Sequence, residues 1–174
     1  ESTKVKSIIA LSPQESAVAP SLTARENLEL MCGVHGFSKV KTNKKIAELI
    51  NSNKPLPFEL TNAIIYYAGP TPAKNGLAVG SIGPTTSSRM DKFAPLLMEN
   101  GLKAMVGKGG RSAEVVSSMV KNGAVYFAAI GGAGALYSGA ITECEVIAFP
   151  ELGCESVKRL TVKDFPLIVA IDST

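Results

Sequence analysis

From Ala63 onward the chain alternates short, almost wholly apolar runs with longer stretches in which apolar residues recur at helical spacing. Ala63-Ile64-Ile65-Tyr66-Tyr67-Ala68 predicts a buried strand, Phe93 to Asn100 a helix with Gly101 as its C′ residue, and Ala104-Met105-Val106 a short strand. Ser112 to Asn122 predicts a second helix, capped by Ser112 and stopped by Gly123. Ala124 to Ile130 follows as a strand, Ala133 to Ser138 as a short helix, and Cys144 to Ala148 and Leu167 to Ile171 as two further strands. Apolar strands separated by helices describe an α/β sheet covered on both faces.

The first 50 residues have a different texture. Ser7 to Leu11 predicts a short strand, Pro13 to Pro20 a loop, and Leu22 to Met31 a helix with Thr23 as N-cap and Glu26 completing a capping box. Gly33 and Gly36 end that helix around His35. Lys39, Lys41, Lys44 and Lys45 then lead into Ile46-Ala47-Glu48-Leu49-Ile50, a pattern that predicts a solvated helix face, broken by Pro55 and Pro57.

Polar chemistry gathers where strands hand over to helices. Gly80-Ser81-Ile82-Gly83-Pro84-Thr85-Thr86-Ser87-Ser88-Arg89-Met90-Asp91 cannot be core, and a loop ending at a helix start collects N–H donors, hydroxyls and the charge of Arg89. Such a loop suits a carboxylate or phosphate; its plainer reading is a helix N-cap formed by Ser87 or Ser88. Gly107-Lys108-Gly109-Gly110-Arg111-Ser112 occupies the same kind of position, with two cations beside a helix start. Ligands of open α/β sheets sit at such strand ends. Gly131-Gly132-Ala133-Gly134-Ala135 lacks the G-x-G-x-x-G spacing of a dinucleotide site, so close backbone packing is its expected role.

Composition narrows the field. One domain, or one with an appended segment, suits 174 residues, and 45% hydrophobic residues supply a core. A net charge of +3 from scattered basic residues, no Trp and only 6% aromatics argue against a nucleic-acid partner. Cys32, Cys144 and Cys154 are odd in number and lack C-x-x-C spacing, which points to a reducing compartment, the cytoplasm, and to no metal site. No apolar run reaches the roughly 18 residues of a membrane span, and the polar start is unlike a signal peptide.

Leu11-Ser12-Pro13-Gln14, Leu22-Thr23-Ala24-Arg25-Glu26-Asn27-Leu28 and Gly33-Val34-His35-Gly36 resemble the Q-loop segment of ATP-binding cassette ATPases, with Gln14 at the Q-loop position. No phosphate-cradling G-x-x-x-x-G-K-[ST] accompanies it, so no ATPase activity is expected. A second resemblance spans residues 44–174. Lys54-Pro55-Leu56-Pro57-Phe58-Glu59-Leu60, Tyr66-Tyr67-Ala68-Gly69-Pro70-Thr71-Pro72, the stretch from Gly83 to Asp91, Gly107-Lys108-Gly109 and Ala128-Ala129-Ile130-Gly131-Gly132-Ala133 resemble the class I, iron–sulfur-dependent fumarate hydratases and tartrate dehydratases, in their β subunit or C-terminal domain.

That resemblance implies a swivelling-type, three-layer β/β/α domain over residues 44–174, preceded by an atypical segment, 1–43. It implies a hydro-lyase acting on a small dicarboxylate such as fumarate, malate or tartrate, assembled as a homodimer or a dimer of heterodimers. The four-iron four-sulfur cluster would be held by an α subunit or N-terminal domain, since none of the three cysteines matches a cluster ligand. Thr85 matches the proposed catalytic base, Arg89 and Lys108 match cations that grip substrate carboxylates, and Gly83 and Thr86 complete the substrate loop. The family's upstream Thr-Ala-Arg motif, whose arginine binds substrate, is replaced by Lys39 to Lys45, and Thr23-Ala24-Arg25 comes too early. Lysine does not reproduce a bidentate arginine. The alternative is therefore a binding module that keeps the fold and its anion loops without catalysis.

Overall fold

The computed structural model describes residues 39–73 and 76–174, with side chains from Thr42 onward. The strand at Ser7–Leu11, the helix at Leu22–Met31 with its Thr23 cap, His35, Cys32 and the Gln14 stretch lie outside the described residues.

Helix α1 (Lys39–Asn51) carries Ile46 into the core. Lys44 is exposed and pairs with Glu48, as a solvated face requires, whereas Lys45 reaches Glu151 at 2.6 Å and lies over the Phe149 ring. Buried Thr42 and Asn43 dock the same helix through polar contacts, the Thr42 hydroxyl donating to the Glu155 carbonyl at 2.7 Å. The helix stops before its prolines: Asn53 takes a left-handed conformation (φ 50°) and the Lys54 N–H returns to the Leu49 carbonyl. Pro55 and Pro57 follow a stop already made.

Strands β1 (Ile64–Tyr66), β2 (Ala104–Gly107) and β3 (Val125–Ala128) run parallel in that spatial order, and β6 (Ile168–Ile171) closes the sheet antiparallel to β3. Helix α2 (Ala94–Glu99) connects β1 to β2, and α3 (Ala113–Asn122) connects β2 to β3. Successive right-handed crossovers in one direction put both helices on one face. Side-chain alternation confirms it: Met105 and Tyr126, register partners, pack with Leu97, Met98, Val115 and Met119 of the helices. Their neighbours Val106 and Phe127 point to the other face, against α4 (Gly134–Gly139) and the antiparallel ribbon of β4 (Ile141–Ala148) and β5 (Val157–Val162). The sheet is thus covered on both faces, as the apolar runs predict.

Gly101 and Gly123 end α2 and α3 with positive φ, and the Ser112 hydroxyl accepts from the Val115 N–H, as expected. Two expectations need correction, and one strand was not foreseen. β1 is an edge strand with Ile64 66% exposed, so it is not buried throughout. The strand expected at Cys144 begins at Ile141, because pairing with β5 extends it. β5 itself was not legible: Lys158, Arg159 and Thr161 interrupt its apolar residues, and only cross-strand partners such as Glu145 opposite Arg159 make it a strand. Among the described residues no helix is long and apolar enough to cross a membrane.

Candidate active site

Parallel strands end on one side of their sheet, so the loops after β1, β2 and β3 share an edge. Backbone pairing then joins the first two loops. The Thr85 N–H donates to the Tyr67 carbonyl at 2.7 Å, the Lys108 N–H to the Thr85 carbonyl at 3.1 Å, and the Ser87 N–H to the Lys108 carbonyl at 2.9 Å. Thr86 and Lys108 form an isolated parallel bridge. Two glycine-punctuated loops distant in sequence therefore form one short ladder, with Thr85, Thr86 and Lys108 as its rungs.

Each of these three residues is half-buried, and among the described residues no side-chain hydrogen bond or ion pair engages the Thr85 hydroxyl or the Lys108 ammonium. The Lys108 side chain crosses to the third loop: a methyl group built on Gly131 would lie 3.5 Å from its Cδ and 3.8 Å from its Nζ. Half-buried Arg89 sits in a 3-10 turn, Ser87–Met90, that continues the Thr85 loop. Gly83 lies against Gly134 at the start of α4, where an added Cβ on Gly134 would come within 2.9 Å of the Gly83 nitrogen. Within the Gly131 cluster, Gly134 has the close-packing role expected of the cluster, whereas Gly131 faces only the Lys108 side chain and Gly132 has open space around it.

The helix-cap reading of the first loop does not hold. No side chain caps the 3-10 turn or α2, and the buried Ser87 hydroxyl instead meets the Tyr126 hydroxyl at 3.0 Å. Tyr126 gives its own proton to the Gly109 carbonyl at 2.8 Å, so Ser87 is the donor of that pair. The anion reading of the second loop needs a different correction. Arg111 has no exposed side-chain surface; its Nε donates to Asp91 Oδ1 at 2.8 Å, and its guanidinium lies between the rings of Tyr67 and Tyr126. Asp91 Oδ2 accepts from the Ser112 N–H at 2.8 Å, filling the start of α3 with a carboxylate of the protein's own. Of the two cations in that loop, Lys108 alone faces the shared edge.

Three tyrosines act as loop tethers. The Tyr66 hydroxyl donates to the Ile82 carbonyl at 2.9 Å, Tyr126 holds Gly109, and the Ile130 N–H donates to the Tyr137 hydroxyl at 2.6 Å. Burial raises the pKa of Tyr66, Tyr67 and Tyr126, in Tyr67 against the opposing pull of Arg111. Sequence reasoning missed these tethers and the Asp91–Arg111 pair. The pair's one signal was a charge of opposite sign closing each loop.

Among the described residues no three His, Cys, Asp or Glu side chains come together as metal ligands; Cys144 is half-buried on β4 and Cys154 is exposed. Cys144 and Cys154 by themselves do not make the ligand set of an iron–sulfur cluster.

A family model described as Fumarase C-terminus matches residues 8–174, a range that takes in the cassette-like stretch. An Escherichia coli protein named "Fumarate hydratase class I, anaerobic" is 41% identical over 130 residues, covering 74% of this chain and 24% of that protein. "Fumarate hydratase 2" of Leishmania major is 39% identical over 130 residues, covering 74% of this chain and 23% of its own length. A Methanocaldococcus jannaschii protein named, provisionally, as L(+)-tartrate dehydratase subunit beta is 43% identical over 135 residues, covering 74% of this chain and 69% of that protein. The chain thus spans about a quarter of the fumarate hydratases it matches and most of the tartrate dehydratase subunit.

Proposed function

Because this chain belongs to the fumarase C-terminal family, we propose that it is the β subunit, or C-terminal part, of a hydro-lyase that reversibly hydrates fumarate to malate or dehydrates a related hydroxy-dicarboxylate such as tartrate. The observation that carries this reading is the ladder that sets Thr85 beside Lys108, with the lysine ammonium over Gly131. Dehydration removes a proton from the carbon next to a carboxylate, and the negative charge that builds there needs fixed cations. Lys108 and Arg89 supply them in this reading, and Thr85 takes the proton, its weakly acidic hydroxyl being made usable as a base by the same positive charge. Gly83 and Thr86 shape the loop against the substrate.

The four-iron four-sulfur cluster belongs to an α subunit or N-terminal domain in this assignment, and the complete enzyme is a homodimer or a dimer of heterodimers. Residues 44–174 carry the catalytic half and 1–43 form a segment of their own. The layering of helices, sheet and ribbon supports a swivelling-type β/β/α domain. Unpaired Cys144 and Cys154 support a cytoplasmic setting.

The test is anaerobic reconstitution of the full chain with a cluster-bearing α subunit of the family, followed by assay of fumarate hydration and tartrate dehydration. Turnover above that of the α subunit alone is expected; its absence with both substrates overturns the assignment. A non-catalytic module would instead bind malate in calorimetry while leaving turnover unchanged.

A further inference from the structure

Two buried charges connect the loops that carry Thr85 and Lys108. Asp91 ends the first loop and Arg111 the second, and their side chains are 14% and 0% exposed. One carboxylate oxygen takes the Arg111 Nε at 2.8 Å and the other takes the Ser112 N–H at 2.8 Å. Around the guanidinium stand the Tyr67 and Tyr126 rings, 5.6 and 5.2 Å from its carbon, and the Met105 sulfur, 3.2 Å from Nη1. Nη2 and the Tyr67 hydroxyl are buried without a hydrogen-bond partner. Asp91 is therefore the guanidinium's anionic partner in this shell, and a guanidinium left there without it would be strongly unfavourable.

We propose that Asp91 and Arg111 are positioning residues: the pair locks the Lys108 loop in register with the Thr85 loop, leaving Lys108 as the cation which the second loop offers a dicarboxylate. The proposal rests on the hydro-lyase assignment of the site and adds how that site is held. Arg111 lies only a few residues beyond Lys108, whose carbonyl and N–H are both rungs of the ladder. If Arg111 leaves its pocket for water, the backbone must move with it and the rungs open. The same carboxylate occupies the α3 N-terminus, so neither that helix start nor Arg111 competes with Lys108 for substrate.

Asp91→Asn in the full chain keeps the side-chain shape and one acceptor while removing the charge. Amide hydrogen exchange at Lys108 and Ser87 should accelerate by about tenfold, the equivalent of one charge-assisted hydrogen bond, with the interiors of α2 and α3 unchanged. Unchanged rates at these two amides, or one uniform acceleration over the whole chain, overturn the lock. Arg111→Lys keeps the charge but not the Nε geometry, and it carries the same exchange test if Asp91→Asn does not fold. In the reconstituted enzyme, Asp91→Asn should raise KM for the dicarboxylate about tenfold and lower kcat no further than Lys108→Ala does, and should add nothing in a Lys108→Ala background. A full, independent increase in that background shows that Asp91 does not act through Lys108 and rejects its positioning role. A wild-type complex with no turnover defeats the hydro-lyase assignment, and the exchange rates then still decide the lock.

Discussion

Lys108 and Thr85 share one ladder yet are expected to fail differently when removed. Lys108→Ala should weaken dicarboxylate binding in the transition state by roughly 1.5–3 kcal/mol, the range of a charge-assisted contact, and Arg89→Ala should lose a similar amount. Thr85→Ala should lower kcat at least about a hundredfold, the low end for proton transfer, while KM changes little, because a hydroxyl adds little binding beside a cation. Steady-state kinetics of the three variants, compared with their melting temperatures, checks this; losses that follow melting temperature alone would make the loops mere scaffold. The tyrosines predict a separate behaviour in alkali. Burial holds the pKa of Tyr66, Tyr67 and Tyr126 above the ordinary phenol value. The unfolded chain therefore releases these protons first, from about pH 10. Their stabilising contribution is intact below that pH and is lost as pH rises toward the raised folded values. Tyrosinate absorbance from these three should consequently appear together with unfolding, and ionisation of all three near pH 10 in a still-folded chain would contradict the burial argument.

At the scale of elements, β2 and the 3-10 turn meet closely at Gly107. An alanine at Gly107 would drive its Cβ into the Ser87 hydroxyl and within 3.2 Å of the Tyr67 ring. Gly107→Ala should therefore destabilise the protein by about 1–3 kcal/mol, measurable from the denaturant midpoint, as overpacking in a filled core does. Helices and parallel strands were largely legible in the sequence because their signals are local: Ser112 caps, Gly101 and Gly123 stop, and the runs around Met105 and Tyr126 are continuously apolar. What escaped were the pieces defined by a distant partner. β5 exists through β4, Ser87 turned from a predicted cap into a ligand of Tyr126, and Arg111 turned from a predicted anion ligand into a buried counter-charge for Asp91. Spacing places residues on elements, but it does not say which of two cations will be consumed by the protein itself.

For the molecule as a whole, three loops converge because β1, β2 and β3 are neighbours in both sequence and space. Thr85, Lys108 and Gly131 each lie in a glycine-punctuated motif legible in the sequence, and the fold supplies their adjacency. The edge they share is set in part by backbone against backbone, where Gly134 meets Gly83 with no room for a Cβ on Gly134. That contact gives the site a direction in which it can evolve. No residue is smaller than glycine, so every substitution at Gly134 can only wedge the first and third loops apart. A larger residue there must displace the Ser81 hydroxyl or the Gly83 backbone, so the separation of these loops can grow by substitution at this point but cannot shrink.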